Sequence, residues 1–200
     1  GFYYQFSRNM LQRNNGDGTF SEVGQLAGVS NTDWSWAGLF SDFDKDGFKD
    51  LFITNGYVKD YTEMDFLKYS VDRVIKSMAK DSANVDPIPE YLRKMPKNET
   101  QNYAFRNKGD GTFQKMSNEW GFTTKGVSAG AAYADLDNDG DLDLIVNNTN
   151  ALASIYKNNA EKLSKNNYLS VKLDGDATNR FGIGAKVKLY CKGQLMYQEQ

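Results

Sequence analysis

Asp42-Phe43-Asp44-Lys45-Asp46-Gly47-Phe48-Lys49-Asp50 and Asp135-Leu136-Asp137-Asn138-Asp139-Gly140-Asp141-Leu142-Asp143 are two copies of one pattern, Asp-x-Asp-x-Asp-Gly-x-x-Asp. Carboxylates stand at positions 1, 3, 5 and 9, and glycine stands at position 6, where the chain must turn sharply. A curled loop with this spacing points alternate side chains at one hard cation, and position 7 adds a backbone carbonyl, from Phe48 or Asp141. All donors are oxygens, which suits calcium; magnesium demands a stricter octahedron, and transition metals prefer nitrogen or sulfur. The expected ligands are Asp42, Asp44, Asp46, Phe48 and Asp50 for one Ca2+, and Asp135, Asp137, Asp139, Asp141 and Asp143 for a second. An EF-hand needs a glutamate at position 12 and a following helix. Position 12 is Ile53 in one loop and Val146 in the other, and strand-like residues follow both.

Working outward, the loops belong to a longer repeat. Arg13-Asn14-Asn15-Gly16-Asp17-Gly18-Thr19-Phe20 returns as Arg106-Asn107-Lys108-Gly109-Asp110-Gly111-Thr112-Phe113. Residue 13 maps to 106 and residue 42 to 135, an offset of 93 in both cases. A third, partial start lies at Ile155-Tyr156-Lys157-Asn158-Asn159. Each unit reads as four strands: one before the Gly-Asp-Gly turn, one from Thr19-Phe20 or Thr112-Phe113, one through Trp36 to Phe40 or Ala131 to Ala134, and one at Leu51 to Thr54 or Leu142 to Val146. The last are short apolar runs between turn residues, the mark of strands buried on both faces. Asp17 and Asp110 read as turn formers, not ligands. Such a unit cannot bury both faces alone, and radial repetition into a β-propeller solves that problem. Two units are too few to close one, so the chain reads as a piece of a longer protein.

An insert at about 57–101 separates the units. Thr62-Glu63-Met64-Asp65 reads as a helix start, and Met64, Leu67, Val71, Val74, Ile75 and Met78 follow helical spacing, predicting a helix packed on the rim.

Composition narrows the function. Hydrophobic residues are 40% and aromatics 14%, enough for a core of short strands. With 24 basic and 26 acidic residues, no positive excess exists to neutralise phosphates, which argues against nucleic-acid binding. The absence of histidine removes His-based zinc sites and His-dependent triads. No catalytic residue stands out, so an enzyme is not expected. Cys191 cannot pair internally and reads as a half-buried strand residue. No apolar run reaches membrane-spanning length. Gly182-Ile183-Gly184 leads into a strand, Lys186 to Tyr190, and so is not a dinucleotide fingerprint. Asn98-Glu99-Thr100 and Asn147-Asn148-Thr149 match the glycosylation sequon, which acts only in a eukaryotic secretory path. The first loop carries Lys45 and Lys49 among its acids and is expected to bind calcium more weakly than the second.

Together, Asn-x-Gly-Asp-Gly-Thr-Phe, Ala27-Gly28-Val29, Trp34-Ser35-Trp36 and the Asp loops resemble FG-GAP or VCBS repeats, in particular those of the cartilage acidic protein family and its bacterial relatives. Asn167 to Leu173 and Asn179 to Val187 resemble the opening of the ASPIC/UnbV module that follows the propeller in that family. The resemblance implies an all-β fold: propeller blades at 1–160 with a helical insert, then the N-terminal part of an ASPIC/UnbV module at 161–200. It implies an exported protein, extracellular, on the cell surface or periplasmic, with structural calcium. Its partner would be a protein or glycan at the cell surface, within a larger envelope complex or not, with adhesion as the role. The competing class is an accessory, non-catalytic portion of a larger glycan-processing enzyme, and a third is a structural subunit of a surface assembly. The lack of cysteine pairs leans towards a bacterial envelope.

Overall fold

The structure is a computed structural model and describes residues 8–60, 64–78, 93–163, 165–166, 168–191 and 193–200. A short hairpin leads: β1 (Gln12–Asn14) pairs antiparallel with β2 (Phe20–Glu22). Its turn is built by glycines at positive φ, Gly16 at 83° and Gly18 at 88°, a conformation that costs glycine nothing. Thr19 donates to Asp17 Oδ1 through its N–H (2.9 Å) and its hydroxyl (2.6 Å), and Thr112 does the same to Asp110. These two aspartates are turn formers.

The central sheet has four antiparallel strands in the order β3 (Ser35–Ser41), β4 (Asp50–Asn55), β6 (Tyr103–Asn107), β7 (Phe113–Lys115). Every strand expected from the sequence is present, but the sheet is staggered against the sequence unit. It takes the last two strands of the first unit and the first two of the second. The physical reason is pairing: β4 exposes a free edge that β6 covers, with Leu51 opposite Phe105 and Ile53 opposite Tyr103. The next sheet repeats the scheme. β9 (Ser128–Ala134) and β10 (Asp143–Asn148) are followed by β11 (Ser154–Tyr156), which contains the start of the third partial unit. Between them, β5 (Thr100–Gln101) pairs with β8 (Lys125–Gly126).

β4 is buried along its whole length. Successive side chains point to opposite faces, so Leu51 and Ile53 join Phe105, Ala27 and Val29 in one core, while Phe52 joins Ala104, Leu144 and Val146 in another. The central sheet is thus stacked on both sides, against the leading hairpin segment and against the β9–β10–β11 sheet. Thr54 ties the layers: its hydroxyl accepts from Ala37 N (2.9 Å), where β3 bulges, and donates to Ala129 O of β9 (2.7 Å).

A polar ladder crosses the stack at the other end of the strands. Asn9 donates to Ser35 Oγ (3.1 Å), which donates to Asn55 Oδ1 (2.9 Å). Asn55 N donates to Asn102 Oδ1 (3.0 Å), Asn102 to Ser128 Oγ (3.0 Å), and Ser128 Oγ to Asn148 Oδ1 (2.8 Å). Residues 9, 35 and 55 map onto 102, 128 and 148 at the same offset of 93. Buried amides persist only when paired, and each here is satisfied by its neighbour in the ladder.

The insert contains α2 (Met64–Met78); a short α1 (Gly24–Ala27) precedes it and α3 (Ala160–Leu163) follows β11. Thr62 and Glu63 of the expected helix start lie outside the described residues, as do the side chains of Leu67, Val74 and Met78. Met64, Val71 and Ile75 are more than half exposed, whereas Ser70 is buried and Phe66 half-buried. Of the expected apolar stripe, the three described side chains, Met64, Val71 and Ile75, face solvent.

At the C-terminal end, β12 (Lys186–Cys191) and β13 (Gln194–Glu199) form a hairpin. Cys191 is exposed rather than half-buried, as is most of β12, whereas Met196 on the paired strand reaches Gly47 of the first Asp loop. No described helix is long and apolar enough to cross a membrane.

Candidate metal centre

The Asp loops are the connections from β3 to β4 and from β9 to β10, at the end of the strands away from the polar ladder. Each curls around its own backbone. Asp42 accepts from Asp46 N (3.0 Å) and Gly47 N (2.9 Å) on its two oxygens; Asp135 accepts from Asp139 N (3.2 Å) and Gly140 N (3.1 Å). Gly47 and Gly140 have φ of 91° and 87°. Position 4 is also left-handed, at Lys45 (59°) and Asn138 (61°). That conformation costs a non-glycine residue about 1–2 kcal/mol, and nothing in the spacing announced it.

The ninth-position aspartates knit the loop to the next hairpin. Asp50 accepts from Phe43 N (3.0 Å) and Asn107 N (2.9 Å), and Asp143 accepts from Leu136 N (3.1 Å) and Asn158 N (2.8 Å). Both are buried. Positions 3 and 5 differ: their outer oxygens meet a cationic side chain. Arg106 Nε lies 2.7 Å from Asp44 Oδ2, and its Nη2 lies 3.1 Å from Asp46 Oδ2. Lys157 Nζ pairs with Asp137 and lies 2.9 Å from Asp139 Oδ2. Arg106 and Lys157 hold the same place, directly before the asparagine that binds the ninth-position aspartate. Their place in the repeat is visible in the sequence, but their role emerges only from these contacts.

The structure brings together carboxylate oxygens of Asp42, Asp44 and Asp50, and of Asp135, Asp137 and Asp139, each set within 4.8 Å of one another. A third set joins Asp139, Asp141 and Glu161. Asp46 completes the first loop through Arg106. The position-7 residues differ: Phe48 donates its N–H to Asp46 Oδ1 (2.9 Å), and its ring sits beside Gly109 of the turn. Asp141 turns its carboxylate out of the loop, where it accepts from Glu161 N (2.8 Å) and pairs with Lys45.

Lys45 therefore does not load the first loop with positive charge, as the sequence argument assumed. Its αL backbone sends the side chain across to Asp141 of the neighbouring sheet, with the Tyr168 ring 4.4 Å from Nζ. Half of the stated reason for ranking the second loop tighter falls away.

Electrostatics separates the loops. Burial raises the Asp42 and Asp44 carboxyls, with repulsion from Asp46 adding to it, and Arg106 opposes the rise at Asp44. Asp50 is pushed up to about 7, chiefly by burial. The second loop is more exposed, and hydrogen bonding by Lys157 lowers Asp139. At Asp141 burial pulls upward, but bonds from Glu161 and Lys45 outweigh it and the net shift is downward.

The donor chemistry fits a divalent hard cation. All donors are oxygens, each carboxylate oxygen keeps a second lone pair, and crowded, buried carboxyls are those a cation relieves. In protein stripped of divalent ions, the folded chain holds the Asp50 proton up to about pH 7, while the unfolded chain releases it near 3.8. Between those values the folded state binds more protons, so this contribution to stability is full below pH 3.8 and is lost as pH rises through 7. Urea unfolding of stripped protein is expected to show this as a downward slope of stability between pH 5 and 7.5 that Asp50→Asn flattens. An unchanged slope in the variant contradicts the assignment.

Comparison with known proteins comes from two sides. The profile of the FG-GAP-like repeat matches residues 2–53 and 91–146, more than half the chain. The two stretches coincide with the two sequence units and leave out α2. Cartilage acidic protein 1 of Xenopus tropicalis is 28% identical over 92% of this chain and 32% of its own length. Cartilage acidic protein 1 of Homo sapiens is 26% identical over 92% of this chain and 31% of its own. The chain thus spans about a third of the length of these relatives.

Proposed function

The chain belongs to the FG-GAP-like repeat family, and from that premise we propose that it is a calcium-stabilised segment of an exported β-propeller that binds a protein or glycan at the cell surface. The observation that carries this reading is the duplication of the loop geometry. Both loops present position-1 and position-9 carboxylates fixed by backbone N–H groups and position-3 and position-5 carboxylates facing a cation.

Asp42, Asp44, Asp46 and Asp50, with the Phe48 carbonyl, hold one Ca2+. Asp135, Asp137, Asp139 and Asp143, with the Asp141 carbonyl, hold the other. The ion supplies counter-charge and a fixed loop, and no chemistry on a substrate. The sheets stacked on both faces support continuation around a propeller axis, and residues 161–200 open the ASPIC/UnbV module. At the strand ends opposite the Asp loops, a cleft of about 310 Å3 lies between the sheets, lined among others by Lys97, Glu99, Asn102, Lys125, Asn148 and Thr149. Its mixed polar lining suits the polar partner in this reading. The relatives' name points to cartilage, in keeping with an exported role.

A ligand bound only by the folded state adds about 2.7 kcal/mol per site at 100 times Kd. Thermal unfolding of stripped protein is therefore expected to shift upward with calcium and much less with magnesium. Equal melting with calcium and with chelator overturns the proposal.

A further inference from the structure

Resting on that reading of the loops, we infer that Arg106 and Lys157 are tethered counter-cations that compete with calcium for the outer carboxylate oxygens of the two loops and so set their calcium affinity.

The hydrogen bonds show which oxygens are at stake. In the first loop both oxygens of Asp42 and of Asp50, and Oδ1 of Asp44 and of Asp46, accept backbone N–H groups. The remaining oxygens, Oδ2 of Asp44 and of Asp46, are the ones that Arg106 takes. In the second loop Lys157 takes Oδ2 of Asp137 and of Asp139, while Asp139 Oδ1 accepts from Asp141 N. In the first loop these are the oxygens that the backbone leaves uncommitted, and a calcium ion seeking six to eight oxygens draws on the outer oxygens of both loops. A guanidinium or ammonium on the same oxygens raises the cost of recruiting them.

The placement is a property of the fold. Arg106 is the penultimate residue of β6 and Lys157 directly follows β11, and these strands pair with the ones leaving the Asp loops. Asn107 and Asn158, one residue later, lock that strand to Asp50 and Asp143. The basic side chain is thereby held over the loop whenever the blade is paired. Both are about half-exposed, with side-chain exposures of 45% and 47%, so each can swing into solvent without unfolding its strand. Arg106 bridges Asp44 and Asp46 with two nitrogens in a rigid fork, whereas Lys157 meets its two carboxylates with one compact ammonium.

The test is calorimetric titration of calcium into the stripped 200-residue chain carrying Arg106→Met or Lys157→Met, beside the parent. Removing two exposed charge pairs raises calcium affinity at the affected loop by about 3- to 30-fold. The same variants unfold at lower temperature in chelator, because the loop carboxylates lose their counter-charge. Arg106→Lys keeps the charge but loses the fork, and falls between the parent and Arg106→Met. Lys108→Met removes an equal charge two residues away, where Lys108 pairs with Asp110, and shifts affinity far less than Arg106→Met. Unchanged or weakened calcium binding in both Met variants overturns the competition. So does an equal gain in Lys108→Met, which reduces the effect to net charge. A parent that binds no calcium overturns the loop assignment itself, a separate failure visible before any variant is compared. Should one Met variant fail to fold by circular dichroism, the other tests the same claim on its own loop.

Discussion

Asp141→Ala lowers the unfolding free energy by about 3–5 kcal/mol, because it strands a buried cation. The Lys45 side chain is only 9% exposed and that of Asp141 is fully buried, and they pair across two sheets. Asp141 also accepts the Glu161 N–H, so the substitution orphans a second donor. The Tyr168 ring 4.4 Å from the ammonium and the Glu161 carboxylate clustered with Asp141 stay near the cation, but a cation–π contact returns only about 2 kcal/mol, less than the buried pair loses. Lys45→Met together with Asp141→Leu removes both charges and recovers most of the loss, since breaking a buried pair costs far more than replacing it with apolar side chains. Urea unfolding of the two singles and the double closes the cycle. A cost below about 1 kcal/mol for Asp141→Ala would show the pair to be solvated in solution.

Phe52→Ala is the second large effect, about 3–5 kcal/mol. Phe52 is 1% exposed at the middle of β4 and sits opposite Ala104 on β6. Its ring centroid lies 4.9 Å from that of Phe122, and the side chain fills the space towards Leu144 and Val146 of the next sheet. Neither Ala104 nor the strand backbones can move in to close the cavity, because each is held by its own sheet. Phe20→Ala, at a residue 62% exposed, changes stability by no more than about 0.5 kcal/mol. Comparable losses for the two would mean that the interface between the sheets is not the core of the protein.

The strands and Asp loops could be read from the residues because they rest on local chemistry. Glycine at φ-positive turns, Asp-x-Thr hydrogen bonds and short apolar runs act over a few residues, and β1 to β4, with their counterparts in the second unit, fall where those signals put them. What escaped depends on residues far apart in the chain. The stagger of the central sheet follows from β4 pairing with β6 across about 50 residues, most of them the insert. Which side of α2 is covered also depends on distant residues, and helical spacing alone did not show that Met64, Val71 and Ile75 face solvent while Ser70 is buried. Lys45 was counted against its own loop because sequence proximity says nothing about a left-handed backbone that throws the side chain into the next sheet. The ladder of Asn9, Ser35, Asn55, Asn102, Ser128 and Asn148 was within reach, since its members obey the same offset of 93 as the Asp loops. Single polar residues at a repeat interval carry little weight until the hydrogen bonds join them.

Of the two loops, the first is the more buried and holds the raised carboxyls, while the second is more open and already has Lys157 drawing Asp139 down. In the proposed reading both nonetheless take one calcium each. Calorimetric titration of calcium into stripped parent, Asp42→Asn and Asp135→Asn tests it most directly. Two binding events are expected in the parent and one in each variant, the surviving event belonging to the untouched loop. Absence of binding heat in the parent, or two events retained in either variant, would contradict it.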